Sequence, residues 1–427
     1  MQKVLIISYF APPCNLTSAN RIENWCDNLF DYGFHPVLVT RNWTGIEMSE
    51  ESRLESSGHF NKIVKNDRYT IHYMPYNESL RDKAFRKGKS NKFFAWISKA
   101  LTLLHLFFQN FTLRAIPYRN LYFEARDLLL RDPSIRKVII SGNLFEQFYF
   151  GYLLKKEFPH VSWIADFRDE WTTHYLYKMN SPKPGFIKWL EKNSEKKWIK
   201  TASKVTTVCP YFAERLKDFH RREVSIVPNG FGKDFGKLLK INAVSTNQDL
   251  PLKIIFGGSL YSNQNVDLFF ETLSEFSSSE LQVEFIGSKL DEGNVLINEL
   301  KRNGLLKSQG WIGKSEMIER MKLADVFLMF PFEGMKGWPS SKLYDYLPYK
   351  KPILLCPSDG DIIEEILLDT GLGLMARNNM DLKLLLASLI RKKEEKLPLI
   401  VDIRTQEILK YSRVNTIPSL VDALNIN

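Results

Sequence analysis

The most constraining feature of this chain is the alternation of short, wholly apolar runs with longer amphipathic ones. The run 4–7 (Val4, Leu5, Ile6, Ile7) opens the pattern, and apolar runs at 37–40, 71–74, 138–141, 161–165, 204–208 and 224–227 continue it. Val/Ile/Leu runs of this length read as strands buried on both faces, and such strands separated by helices build a parallel sheet. A helix is predicted over 18–32, with Gly33 closing it. The second half repeats the pattern. Strands are predicted at 252–256, 283–286, 326–329 and 352–355, and helices at 266–276, 318–322 and 343–347. The polar stretch 242–249 reads as a linker, and the tail over about 405–427 reads as one helix. The expectation is an α/β protein of two doubly wound parallel-sheet domains facing a central cleft. They would cover 1–236 and 250–409, with a C-terminal helix of about 410–427 packing back on the first.

Charge divides the same way. The net charge is +10. Residues 1–240 carry 38 Lys and Arg against 24 Asp and Glu, and residues 241–427 carry 21 against 25. A basic first half points to anionic partners, but the basic residues form no base-reading module, so nucleic acid is disfavoured. The four cysteines (Cys14, Cys26, Cys209, Cys356) are scattered with no CxxC pair, which fits a reducing cytoplasm and no zinc cluster. No secretory leader is expected, because Met1-Gln2-Lys3 runs straight into a strand. The segment 81–92 holds six basic residues and one acid, and the apolar stretch 93–113 follows with one formal charge, Lys99. Three readings stand: a buried helix behind a solvated basic loop, a peripheral contact with an anionic membrane, or a span.

In open parallel sheets, ligands bind beyond the C-terminal strand ends. Three clusters fall there. Pro339-Ser340-Ser341-Lys342 starts a helix with Ser340 or Ser341 as N-cap. Lys342 is unfavourable in a first turn unless it faces an anion, and Asp345 lies one turn on. The pattern suits a diphosphate on Lys342 and free N–H groups, with Asp345 accepting ribose hydroxyls. The bland alternative is a capped helix with a local Lys–Asp pair. The run Asp166-Phe167-Arg168-Asp169-Glu170 places four charges after an apolar strand. Arg168 there meets an anionic ligand with Asp169 orienting it, or the two form a structural pair. Gly257-Gly258-Ser259 lets a ligand approach the backbone or is a simple turn. No GxGxxG, GxxxxGK[ST] or GxSxG motif is present, and no convincing metal-ligand spacing.

Read in order, these segments resemble the group 1 (family 4-like) retaining glycosyltransferases of GT-B architecture, over nearly the whole chain. The resemblance is carried by KVLIISYFAPPCNLTSANRIENW, WIADFRDEW (a subgroup whose strand ends in Asp-Phe-Arg-Asp), SIVPNGF, IIFGGSLYSNQN, VEFIGS and ADVFLMFPFEGMKGWPSSKLYDYLPYKKPIL. It implies donor binding by the second domain and acceptor binding by the first. Arg168, Asp169 and Lys342 would be catalytic. Gly258, Ser259, Ser340, Ser341, Lys342, Asp345 and Glu333 would hold the donor, and Asn15, Thr17 and Arg21 would lie on the acceptor side. Asp345 would be a shortened replacement for the family's ribose-binding Glu. The family's other motif Glu falls at Gly337, with Glu333 as a nearby substitute, and its Arg/Lys pair falls at Ser259 and Gln264. The implied activity is transfer of a sugar from a nucleotide-sugar donor, with retention and without metal or other cofactor. The acceptor would be a glycan or a polyprenyl-diphosphate-linked sugar of a surface polysaccharide such as lipopolysaccharide or capsule. The rivals are a nucleotide-sugar epimerase and a non-catalytic GT-B binding protein.

Overall fold

The computed structural model describes all residues except 15, 45–57, 59, 77, 175, 176, 178–180, 233, 234, 236–248, 359, 426 and 427. The chain forms two compact units, Met1–Pro228 with Thr416–Asn427, and Asn229–Asn415.

The first unit is built on eight strands: β1 (Gln2–Ile7), β2 (Phe34–Arg41), β3 (Lys62–Lys65), β4 (Thr70–Met74), β5 (Lys137–Gly142), β6 (Ser162–Phe167), β7 (Lys204–Thr207) and β8 (Val224–Ile226). Their order in the sheet is β3-β4-β2-β1-β5-β6-β7-β8. All pairs are parallel except the edge strand β3, which runs antiparallel to β4 and departs from the all-parallel expectation. Along β1 the side chains alternate between two cores. Leu5 and Ile7 pack with Val39, Ile140 and Trp163 on one face. Val4 and Ile6 pack with Trp25, Leu38 and Ile139 on the other. The helix Ile417–Asn425 returns to this second face, burying Ile417, Leu420 and Leu424 there. The tail is therefore not one helix. Thr405–Lys410 belongs to the second unit, and the chain between the helices is tied to Phe231 by Phe231 N–H to Tyr411 O (2.9 Å) and Arg413 N–H to Phe231 O (3.0 Å).

The basic stretch expected as a loop is mostly helix. Leu80–Gly88 is capped by Ser79, whose hydroxyl and N–H both bond Asp82. A second helix, Lys92–Phe108, starts on an Asn91 cap. Gly88 lies so close to Ala95 that a Cβ there would be 2.9 Å from its backbone, so glycine sets the crossing of the two helices. The second helix turns its polar stripe inward: Ser98 is buried and Thr102 and His105 half-buried. Its apolar stripe, with Phe93, Trp96, Leu103 and Leu104, is exposed. That is the reverse of a surface helix on a globular core. No helix among the described residues is long and apolar enough to cross a membrane.

The second unit carries a fully parallel sheet in the order β11-β10-β9-β12-β13-β14. The strands are β9 (Leu252–Gly257), β10 (Leu281–Ile286), β11 (Leu306–Gln309), β12 (Val326–Met329), β13 (Ile353–Leu355) and β14 (Gly373–Met375). Central β9 pairs Phe256 with Phe285 on β10, and in the core Phe330 stacks on Phe285 and meets Phe256 at a tilt.

Candidate functional site

In the second unit, β9, β10 and the helix Ser341–Tyr346 converge on Lys342. Gly258 follows β9 at φ +95°, and Gly287 follows β10 at φ +88°. A Cβ on Gly287 would stand 3.2 Å from Gly258, and one on Gly258 would stand 2.9 Å from Lys342 Cε. Two glycines thus let two strand ends and a lysine share one place. Ser288 locks the turns: its hydroxyl donates to Gly258 O (2.5 Å) and accepts from Leu260 N–H (2.8 Å). Below them, Tyr346 OH accepts from Gly257 N–H at 2.8 Å.

Lys342 Nζ donates to Ser259 O at 2.6 Å and lies 5.1 Å from the ring centres of Phe256 and Tyr261. Burial pushes its pKa down to about 8, and Asp345 partly opposes this. An ammonium has three donors, and this one has spent one of them on a neutral carbonyl. Ser340 is the N-cap, settling the choice between the two serines. It is buried and its side chain makes no capping bond, while Ser341 and Ser259 are exposed. Asp345 is half-buried. The Glu333 side chain is exposed, and its N–H bonds Asn263 O (2.8 Å), fixing its loop to the one after β9. Gln264 is structural: it accepts from Tyr261 N–H (3.0 Å) and donates to Phe330 O (2.8 Å). Gly337, where the family Glu would stand, has φ +71° and donates its N–H to buried Asp361 at 2.6 Å.

The charged run after β6 divides in the first unit. β6 extends to Phe167, so Asp166 lies inside the strand rather than beyond it. It is fully buried and saturated. Arg21 reaches it through Nη2 (2.7 Å) and Nε (3.1 Å), Ser141 through its hydroxyl (2.7 Å) and Thr206 through its own (2.8 Å). Arg21 also donates to Val227 O at 2.8 Å. Arg21 therefore joins elements 145 residues apart, and its guanidinium is turned inward rather than toward an acceptor. Glu170 is likewise occupied, by Arg215 at 2.7 and 2.9 Å. Arg168 and Asp169 remain. Arg168 donates to Asn143 O (3.0 Å), lies over Phe10 (5.3 Å) and pairs with Asp169 at 3.6 Å. Its Nε is buried without a hydrogen bond, and burial holds its pKa below the ordinary guanidinium value. Thr17 is exposed before the helix Ala19–Asn28, and Asn15 lies outside the described residues.

Sequence reasoning passed over Ser288, Tyr346 and Asp361. For Ser288 the signal was present, a Gly-Ser step at a strand end like Gly258-Ser259. Tyr346 and Asp361 act on backbone atoms 89 and 24 residues away, which no local pattern announces. Among the described residues, no group of three His, Cys, Asp or Glu side chains gathers to hold a metal ion.

No protein-family profile matches the chain, and no curated protein matches it by sequence. Its fold does match solved structures over whole chains. A sucrose-phosphate synthase from Thermosynechococcus elongatus aligns with TM-score 0.61 at 12% identity, covering 99% of both chains. HepE from Anabaena, solved with UDP-glucose, aligns with TM-score 0.57 at 9% identity, covering 99% of both. The lipopolysaccharide outer core galactosyltransferase WaaB aligns with TM-score 0.55 at 14% identity, covering 99% of this chain and 100% of its own. The architecture of two parallel-sheet α/β domains is that of the GT-B glycosyltransferase structures.

Proposed function

We propose that the chain is a glycosyltransferase that moves a sugar from a nucleotide-sugar donor to a glycan or lipid-linked acceptor of a surface polysaccharide. The observation that carries this is Lys342, a half-buried ammonium at two glycine-opened strand ends that donates to a carbonyl. A desolvated cation without a carboxylate bond is costly to the fold, and such groups gather where a ligand supplies the missing charge. A donor diphosphate is that ligand. The fold neighbours support it, since HepE was solved with UDP-glucose.

The donor falls to the second unit. Lys342 neutralises the diphosphate, Asp345 accepts ribose hydroxyls, and Gly258, Ser259, Ser340, Ser341 and Glu333 frame the pocket. As the sugar–phosphate bond breaks, negative charge grows on the leaving diphosphate. A fixed ammonium in a low-dielectric site stabilises that charge without reorganising. Arg168, with Asp169 beside it, serves the acceptor in the first unit, together with the loop of Asn15 and Thr17. Transfer proceeds with retention and needs no metal. The protein works in the cytoplasm, where the exposed apolar stripe of Lys92–Phe108 and its lysine-rich neighbour hold it on an anionic membrane face.

The test is incubation with a panel of nucleotide sugars, with and without a membrane glycolipid extract. Acceptor-dependent release of a nucleoside diphosphate is expected. Interconversion of the donor sugar without acceptor would assign the epimerase instead, and no reaction with any donor would favour a binding protein.

A further inference from the structure

The first unit contains a cavity of about 360 Å³ beside the Arg168 cluster, with Phe10 between them. That volume is in the range of small-ligand sites, roughly 300–1,000 Å³. It opens at the C-terminal ends of β1, β2, β4 and β5, which contribute Tyr9 and Phe10, Trp43, Tyr76, and Leu144 and Glu146. Its other side is the helix pair: Phe85 comes from Leu80–Gly88, and Ser98, Thr102 and His105 come from Lys92–Phe108. The inward polar stripe of that second helix is thus the wall of a cavity.

The charges on the lining decide what it takes. Arg41 is enclosed by rings, 4.0 Å from the centre of Trp43 and 4.2 Å from that of Tyr76, and donates to Tyr9 OH at 2.5 Å. Arg81 is bound to Asp82 at 2.8 Å, and Asp82 also takes the Tyr76 and Ser79 hydroxyls at 2.7 Å each. The two guanidinium charges are matched in number by the carboxylates of Asp82 and Glu146, so the lining carries no net charge to draw in an anion. His105 binds Ala115 O through Nδ1 at 2.8 Å, which leaves Nε2 as an acceptor. Burial lowers its pKa and keeps the ring neutral. Glu146, His105 and the Thr102 oxygen, whose proton goes to Ser98 O (2.7 Å), offer acceptors, Tyr118 offers a hydroxyl, and the aromatic rings offer flat apolar surface. A polyhydroxylated ring with apolar C–H faces and no charge matches all three.

We propose that this cavity binds an uncharged sugar ring and so selects the acceptor, which rests on the transferase reading above. The acceptor class is then a glycan with a neutral residue at the receiving end, and any phosphate it carries lies outside the cavity.

The test titrates the full-length protein, without any nucleotide, with methyl glycosides of glucose, galactose, mannose, rhamnose and N-acetylglucosamine. Glucose 6-phosphate and glucuronate serve as charged comparisons. Binding is followed by calorimetry and tryptophan fluorescence. At least one neutral glycoside should bind more tightly than both anionic sugars. Glu146→Gln and Phe85→Ala should each weaken it about tenfold, the scale of a lost charged hydrogen bond or ring contact. Should either variant lose its cooperative melting, Thr102→Val replaces it. No neutral glycoside binding, tighter binding of an anionic sugar, or binding unchanged in the folded variants would each overturn the proposal. Its fate is separable from that of the transferase reading. Sugar binding by a protein that binds no nucleoside diphosphate would keep the cavity and remove the transferase, and the converse would do the reverse.

Discussion

Two cations, Arg21 in the first unit and Lys342 in the second, are treated oppositely. Arg21 is closed. Its guanidinium is matched by Asp166, which takes four hydrogen bonds from Arg21, Ser141 and Thr206 and has no exposure. Lys342 is open, with one bond to a carbonyl and burial that depresses its pKa. A closed pair holds segments together and has nothing left to offer a ligand. An open cation weakens the fold and has two donors to spare. The difference separates a residue that builds the molecule from one that works in it, although both look alike as basic residues near strand ends.

The largest effect should come from breaking the closed pair. Asp166→Ala strands Arg21 in the core and should cost about 3–5 kcal/mol, seen as a lower denaturant midpoint. A loss under 1 kcal/mol would mean the pair is not structural. Next, Lys342→Ala should cut transfer by roughly 100-fold or more, the scale of losing one charge-stabilising donor. Its melting temperature should be unchanged or slightly raised. Lost stability instead would move Lys342 to the structural side of the comparison.

A smaller effect distinguishes the two by pH. Lys342 is protonated below about 8 and neutral above it, so donor binding should weaken as pH rises past about 8. Its effect on stability has the opposite sign. Between about pH 8 and its unfolded value the unfolded chain binds the extra proton, so stability rises with pH in that window. Lys342→Ala should abolish the first dependence and reduce the second, the remainder coming from Lys351, whose pKa burial also lowers to about 8; donor titration and melting across pH measure them. The smallest effect concerns the surface. Trp96→Ser should weaken sedimentation with anionic vesicles about tenfold, the scale of one aromatic side chain's burial. Unchanged sedimentation would make the stripe incidental to membranes.

The central strands were legible because they are continuous Val/Ile/Leu runs buried on both faces. The edges were not. β3 is Lys-Ile-Val-Lys with most of it exposed, and β14 is only Gly-Leu-Met, so neither carries a buried strand's pattern. Lys342 was legible because a lysine in a first helical turn is locally unfavourable. Arg21 was not, because its role depends on Asp166, which no spacing rule links to it. The acidic run after β6 was over-read for the same reason: Asp166 and Glu170 answer to distant arginines, leaving Arg168 and Asp169. The aromatic cavity was invisible in sequence, since four strand ends and two helices supply its walls.

The most direct measurement of the central claim is thermal unfolding of the wild type and Lys342→Ala with saturating UDP, GDP, ADP and dTDP. At a hundred times its dissociation constant a ligand adds about 2.7 kcal/mol. At least one nucleoside diphosphate should therefore raise the wild-type melting temperature by several degrees, and the rise should vanish in Lys342→Ala. No shift with any of them, or an equal shift in the variant, would contradict the account.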